Sequence, residues 1–309
     1  MSGIKAFAPA SIGNIGVGFD IMGLALEYPG DEVIARKSNQ KGVRITKMTG
    51  HHGKLPYEPE KNTAGVAVIK LLEYLGNPET GIDLEVHKNL PLGSGMGSSA
   101  ASAVAAVWAT SELLRTGLSK RELLPFACAG EAVASGSIHG DNVAPSLLGG
   151  IILVRENTTY DVQRLYVPRG LYVALVHPAI KILTQDARAI LSDTVPMKAF
   201  IQQTANAAAF VIGLANGDFE LIGRCLRDVV IEPQRAKLIP GFYAVQSAAM
   251  TAGALGCTIS GAGPAIFALC ANSLTAENAA VAMQHVLTEQ GIDSTIYLSS
   301  VNQEGAVIC

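Results

Sequence analysis

Residues Pro91–Ala106 read PLGSGMGSSAASAVAA, with Gly93, Gly95 and Gly97 alternating with Ser94 and Met96 ahead of Ser98 and Ser99. Glycine has no Cβ, so this backbone can take positive φ and lie flat against a ligand. Its successive N–H groups can then form a nest for an anion. The small residues that follow read as a helix, whose first turn adds unpaired donors and a partial positive charge. Ser98 and Ser99 supply hydroxyls where a phosphate oxygen or a bound Mg²⁺ would sit. The chemistry that fits is phosphate binding; a loop that is glycine-rich only for packing is the alternative. Two better-known phosphate loops do not fit. No lysine lies between Lys88 and Lys120, and the spelling Gly93-Ser-Gly95-Met-Gly97 is not GxGxxG. Helix-end electrostatics contribute only ~0.3–2 kcal/mol per charge. A triphosphate here therefore also needs a cation, and an acidic ligand for that cation is expected elsewhere.

GEAVASGSIHGDNVAPSLLGG (130–150) is dense in chemically useful side chains. Glu131 is a candidate metal carboxylate, and His139, Asp141 and Asn142 crowd a Gly/Ser-rich segment. Asp141 equally suits the start of the next helix, where it would accept N–H bonds. In APASIGNIGVGFDIMGLAL (8–26), Asn14, Gly16, Gly18 and Asp20 gather in one turn. Asp20, between Phe19 and Ile21, needs either a cationic partner such as a ligand ammonium or bonds to loop amides. In LTQDARAIL, Thr184 and Arg188 stand one helical turn apart. IEPQR puts Arg235 after a helix-breaking proline. An arginine fork suits a carboxylate or phosphate, with a surface ion pair as the plainer reading. TISGAGPAIFALC (258–270) is a strand, a turn and a strand, for which a tight connection would suffice. His51, His52 and His285 show no partner pattern.

Alternation and β-branching predict strands near 4–8, 23–28, 31–37, 42–48 and 82–87. Helical spacing predicts helices over 62–76, 98–114 and 119–134, the last opened by a Ser119/Glu122 capping box. A strand pair at 149–155 and 160–167 leads to VPRG, which places a domain boundary between 1–168 and 169–309. Beyond it come a strand at 171–177 and helices near 184–191, 197–215, 240–254 and 275–289. Strands near 257–260, 264–270 and 293–299 complete the pattern. Strands and helices mix without βαβα repetition, so the fold class is α+β. The alanine run at 100–109 is ascribed to close helix packing.

Composition agrees with two domains in 309 residues, 49% hydrophobic and 16% charged. A net charge of −3 with scattered lysines and arginines argues against a nucleic-acid partner. Five cysteines without a CxxC pair point to a reducing, cytoplasmic setting. No signal peptide and no membrane span are apparent.

With these segments in view, the chain resembles, nearly end to end, the homoserine kinase family of the GHMP small-molecule kinase superfamily. The resemblance rests on APASIGNIGVGFD, PLGSGMGSSAA, SGSIHGDNVAPSLLGG, TQDARAIL, IEPQRAKLIPGF and SGAGPAIFALC, in that family's pattern. It implies a two-domain GHMP kinase fold. A ribosomal-S5-like amino-terminal domain and a ferredoxin-like carboxyl-terminal domain would flank the active site. It implies ATP phosphates cradled by Pro91, Leu92, Gly93, Ser94, Gly95, Met96, Gly97, Ser98, Ser99, Ala100 and Ala101, with Mg²⁺ on Ser99 and Glu131. Asn62 and Lys88 match positions near the nucleotide. The ammonium of L-homoserine would meet Asp20 and Asn14, and its carboxylate Arg188 and Arg235, with His139, Thr184 and Gly261 lining the pocket.

The implied reaction is ATP-dependent phosphorylation of the homoserine side-chain hydroxyl, a step towards threonine. Asn142 stands where many superfamily relatives carry a catalytic aspartate, so it would orient the hydroxyl or the γ-phosphate without a dedicated protein base; Asp141 is the rival base. A homodimer is the family-based expectation. The alternatives are another GHMP kinase acting on mevalonate, a sugar or shikimate, and a non-catalytic nucleotide-binding regulatory protein.

Overall fold

The computed structural model describes residues 3–50, 53–136 and 140–309. The first strands, β1 (Ile4–Gly13) and β2 (Met22–Lys37), pair antiparallel from Ile4↔Ala35 to Gly13↔Gly23. Sequence reading breaks β2 in two at Tyr28-Pro29-Gly30, but the strand is continuous. Pro9 pairs with Gly30 and Ser11 with Ala25, so four residues of β2 bulge opposite Ala10 alone.

The first unit continues with β3 (Val43–Thr49), α1 (Thr63–Tyr74), β4 (Ile82–His87), α2 (Ser98–Leu114) and α3 (Lys120–Ser135). It then adds α4 (Gly140–Leu148), β5 (Ile151–Glu156) and β6 (Asp161–Leu165). Asn62 caps α1 by accepting from the Ala64 amide, and Ser119 and Glu122 form the capping box on α3. Helix α2 is central: it packs on β1 and β2 and touches α1, α3 and α4. Ala100, Ala101, Ala103, Ala105, Ala106 and Ala109 are fully buried, because only small side chains let a helix sit this close to neighbours all round.

The second unit comprises β7 (Tyr172–Pro178), α5 (Thr184–Ala189), α6 (Met197–Asn216), α7 (Phe219–Cys225), α8 (Glu232–Arg235) and α9 (Phe242–Thr251). After these come β8 (Gly256–Ile259), β9 (Ile266–Cys270), α10 (Ser273–Glu289) and β10 (Ser294–Ser300). Its antiparallel sheet runs β10-β7-β9-β8. Two short helices escape the sequence reading. Helix α7 spans only seven residues. In α8, Pro233 occupies the first turn, where a missing N–H costs nothing. This corrects the expectation that Pro233 breaks a helix: it starts one.

A division at 168 needs amendment at the far end of the chain. After β10, Val301 bridges to Leu26, and β11 (Val307–Ile308) pairs with β1, giving the first sheet the order β11-β1-β2-β4-β3 with β5 and β6 attached through β2. The two units also share apolar packing. Along β7, Val173 and Leu175 join the large core that contains α2, whereas Ala174 and Val176 face the smaller core with Phe242, Val245 and Met283. All five cysteines are unpaired, and four are buried; burial pushes the Cys225 and Cys270 thiols up to about 11. Among the described residues, no helix is long and apolar enough to cross a membrane.

Helix α4 rests directly on β2. A Cβ on Gly23 would lie 1.7 Å from the Asp141 carbonyl oxygen and 3.0 Å from Pro145. Gly23→Ala must push α4 off the strand and should destabilise the protein by about 1–3 kcal/mol or more. The midpoint of urea unfolding checks this, and an unshifted midpoint would contradict the contact.

Candidate active site

A cleft of about 510 Å³ runs between the glycine loop, the β1–β2 turn, the ends of α3 and α4, and the start of α5. At one end, Gly93, Gly95 and Gly97 all take positive φ, at 66°, 79° and 67°. The loop's carbonyls face inward. Ser94 O accepts from the Ala265 amide at 3.1 Å, Gly95 O from Ser260 Oγ at 2.7 Å, and Met96 O from the Ser11 amide at 3.1 Å. A Cβ at Gly97 would fall 2.1 Å from Ser11 Oγ, and one at Gly95 2.4 Å from the Ser260 carbonyl, so both positions need glycine on steric grounds as well. No side chain caps the start of α2. Its first amides remain available to an anion, whereas within the loop the Met96 amide is taken by Ser94 Oγ at 3.3 Å. The turn of TISGAGPAIFALC thus does more than connect two strands: it backs the glycine loop. Ser11 and Ser260, which sequence reading passed over, carry no signal beyond their glycine neighbours.

Ser99 and Glu131 are brought together from α2 and α3, and the Ser99 hydroxyl bonds to the Glu131 carboxylate. Burial pushes Glu131 up to about 7; the bond from Ser99 opposes this, and the nearby charges of Asp141 and Lys88 act in opposite senses. Among the described residues, no three His, Cys, Asp or Glu side chains cluster as an all-protein metal cage. One hydroxyl and one buried carboxylate beside a phosphate nest fit a Mg²⁺ that takes its other oxygens from a nucleotide and water.

Lys88 and Asn62 also line the cleft, but their polar groups are engaged. The Lys88 ammonium donates to Asp31, to the Ser98 carbonyl at 2.6 Å and to Ser102 Oγ at 2.8 Å. The Asp31 carboxylate in turn accepts from the amides of Asn89 and Leu90. This buried pair braces the strand that enters the loop against the helix that leaves it. Asn62 holds the α1 cap and donates to the Pro56 carbonyl.

At the other end of the cleft the substrate candidates converge. Asn14 and Asp20 sit at positive φ in the β1–β2 turn. Asn14 donates to the Gly261 carbonyl at 2.8 Å and accepts from the Asp20 amide at 3.0 Å. Arg235 donates to the Ala187 and Gly261 carbonyls, each at 3.0 Å. Burial, then the charge of Arg188, lowers the basicity of Arg235. Arg188 spans to Asp20 at 2.8 and 2.9 Å, and its Nε is buried with no partner among the described residues. Thr184 is exposed at the start of α5, on the cleft wall. His139 lies outside the described residues.

Asn142 links the two ends. Its Oδ1 accepts from Ser11 Oγ at 3.0 Å, beside Gly97, and it is half-buried on the cleft wall. Asp141 is 2% exposed, and its Oδ1 has no hydrogen-bond partner among the described residues. Burial pushes Asp141 up to about 7; the charge of Asp20 adds to this, while the amides of Asp141 and Asn14 and the charge of Arg188 oppose it. A carboxyl held above its unfolded value of 3.8 favours the fold when protonated. That contribution is complete below about pH 4 and is lost as pH rises towards 7. In the ligand-free protein, Asp141→Asn should therefore raise stability by on the order of 3 kcal/mol at pH 8 and by little at pH 4. Equal gains at both pH values, read from urea midpoints, would refute the assignment.

Residues 62–150 match the family described as GHMP kinases N terminal domain, and residues 210–288 match GHMP kinases C terminal. The chain is 46% identical to a homoserine kinase of Chloroherpeton thalassium and 44% identical to one of Chlorobium phaeobacteroides, each match covering 100% of both chains. The crystal structure of homoserine kinase from Cytophaga hutchinsonii superposes with a TM-score of 0.97 at 47% identity, covering 100% of this chain and 98% of that one. A glycine nest without a lysine, a Ser–Glu pair beside it and two arginines facing an aspartate thus occur in a chain that belongs to the GHMP kinases and, among them, to the homoserine kinase family.

Proposed function

We propose that this protein transfers the γ-phosphoryl group of ATP to the side-chain hydroxyl of L-homoserine, giving O-phospho-L-homoserine and ADP. The observation that carries the reading is the charge layout at the far end of the cleft. Asp20 offers a site for an ammonium, and Arg188 and Arg235 offer one for a carboxylate. An α-amino acid presents both charges on one carbon, whereas mevalonate or shikimate presents only the second and a neutral sugar neither.

Phosphoryl transfer of this kind has a loose transition state, so positioning and charge neutralisation contribute more than base catalysis. The amides of Gly93, Gly95 and Gly97 to Ala100 would hold the β- and γ-phosphates, since that of Met96 bonds to Ser94 Oγ and that of Ala101 to the Gly97 carbonyl. Ser99 and Glu131 would hold Mg²⁺, which supplies neutralising charge at the phosphate oxygens. The acceptor oxygen forms its bond to phosphorus as the bond to the bridging oxygen of ADP breaks, and the hydroxyl proton passes to phosphate or water. Asn142, beside Ser11 and the end of the glycine loop, would orient the hydroxyl against the γ-phosphate.

One observation favours a second reading of the proton's route. Asp141 is buried next to Asn142 with its carboxyl near 7, a value suited to accepting a proton at neutral pH. Its place beneath Gly13 and Asn14, with the chain's backbone around it, supports a positioning role instead. An uncharged stripe of Met197, Ile201, Ala205, Ala208 and Ile212 exposed along α6 supports a homodimer, and five unpaired cysteines fit a cytoplasmic setting.

A coupled assay of ADP release should show turnover that requires L-homoserine and does not occur with mevalonate, shikimate or galactose. Turnover with one of those in its place would move the protein to another branch of the kinases. Arg235→Leu should raise KM for homoserine by about 100-fold with KM for ATP little changed, as for loss of a charged contact. Asn142→Ala should lower kcat by about 10²–10³-fold, while Asp141→Asn retains most turnover. The reverse ranking would make Asp141 the base.

A further inference from the structure

Two guanidinium groups facing one ligand repel each other, and something must hold them there. Arg235 is tied by backbone carbonyls, and Arg188, among the described residues, is hydrogen-bonded to Asp20. Beneath both lies the ring of Phe19. The guanidinium carbon of Arg188 is 5.3 Å from the ring centroid and that of Arg235 is 5.0 Å. Both distances are within cation–π range.

Phe19 has no other evident task. It is half-buried and belongs to neither apolar core. The turn that carries it is held on both sides, with the Gly18 amide on the Asn14 carbonyl at 2.8 Å and Gln203 donating to the Val17 carbonyl at 3.2 Å. Its neighbour Asp20 takes a φ of 61°, a conformation that costs energy for a non-glycine residue. A strained, tethered turn thus aims one aromatic face at two cations. Aliphatic side chains of similar size would fill the same space without attracting either.

We propose that Phe19 is a specificity-determining positioning residue of the acceptor site, the shared platform on which Arg188 and Arg235 form a two-pronged carboxylate receptor. The assignment rests on reading this end of the cleft as the amino-acid site. The Asp20–Arg188 pair closes the receptor when no substrate is present. A zwitterion exchanges that pair for two new ones, its ammonium on Asp20 and its carboxylate on Arg188. Arg188 keeps the ring beneath it throughout, so it changes one partner and not both.

The test uses the full-length enzyme with ATP. Phe19→Leu should raise KM for L-homoserine about tenfold, with kcat and KM for ATP within about twofold of the unaltered enzyme. Phe19→Tyr, which keeps the ring face, should restore KM. The competitive Ki of 3-aminopropan-1-ol, which is homoserine without its carboxylate, should not change in Phe19→Leu. Replacing Phe19 by phenylalanines of increasing fluorination keeps the shape and drains the ring face, so log KM for homoserine should climb with each fluorine. That series also covers the case in which Phe19→Leu fails to fold. A flat fluorination series, or equal rises in KM for ATP and in the amine's Ki, would overturn the role of Phe19 while leaving the kinase reading intact. Absence of homoserine-dependent turnover by the unaltered enzyme would instead overturn that reading, and this assignment with it.

Discussion

The structure depends on where the glycine loop sends its carbonyl groups. Ser94, Gly95 and Met96 each direct an oxygen into the protein, towards Ala265, Ser260 and Ser11 respectively. A peptide whose C=O points inward presents its N–H on the opposite side, so the Ser94 and Met96 bonds help set the polarity of the cavity, while the amide opposite the Gly95 carbonyl, that of Met96, bonds to Ser94 Oγ. They also recruit both halves of the chain, because Ser11 lies on β1 and the other two belong to the β8–β9 turn. The buried Lys88–Asp31 pair, with Ser98 and Ser102, stiffens the same loop from below. Buried charges are costly unless fully bonded, and this pair is bonded on every side. Its lysine braces the glycine loop from behind, with its ammonium fully engaged there.

Shared apolar packing extends this dependence to the whole molecule. Because β7 alternates between two cores, a shift of the second sheet moves Val173 and Leu175 within the first core as well. The arginines of α5 and α8 therefore hold a fixed relation to Asp20 on the β1–β2 turn. That relation is a requirement of any site that must read two charges on one small molecule while keeping its hydroxyl near a phosphate.

Much of this was legible in the sequence. Helix α2 has its full predicted extent, since the glycines mark its start and the alanines its burial. Asn14 and Asp20 stand out as short polar groups among glycines and apolar residues, whereas Arg188 and Arg235 stand out for a planar fork suited to a carboxylate or phosphate. What stayed hidden depends on contacts between distant segments. Phe19 reads as one more hydrophobe until Arg188 and Arg235, 169 and 216 residues further along the chain, are seen above it. Ser11 and Ser260 are ordinary strand and turn residues until the loop lies between them. The continuity of β2 was masked by a proline that a four-residue bulge accommodates, and the sequel to β10 was missed because two residues are too few to show a period.

That sequel has a bearing on how the protein is made. Ala6 pairs with Ile308, and Leu26 with Val301, so these contacts of the first sheet wait until residues 301–308 have been made. Contacts of such long sequence separation form late. Until then a nascent chain keeps an unfinished sheet behind its cleft, with an open strand edge of the kind that chaperones shield.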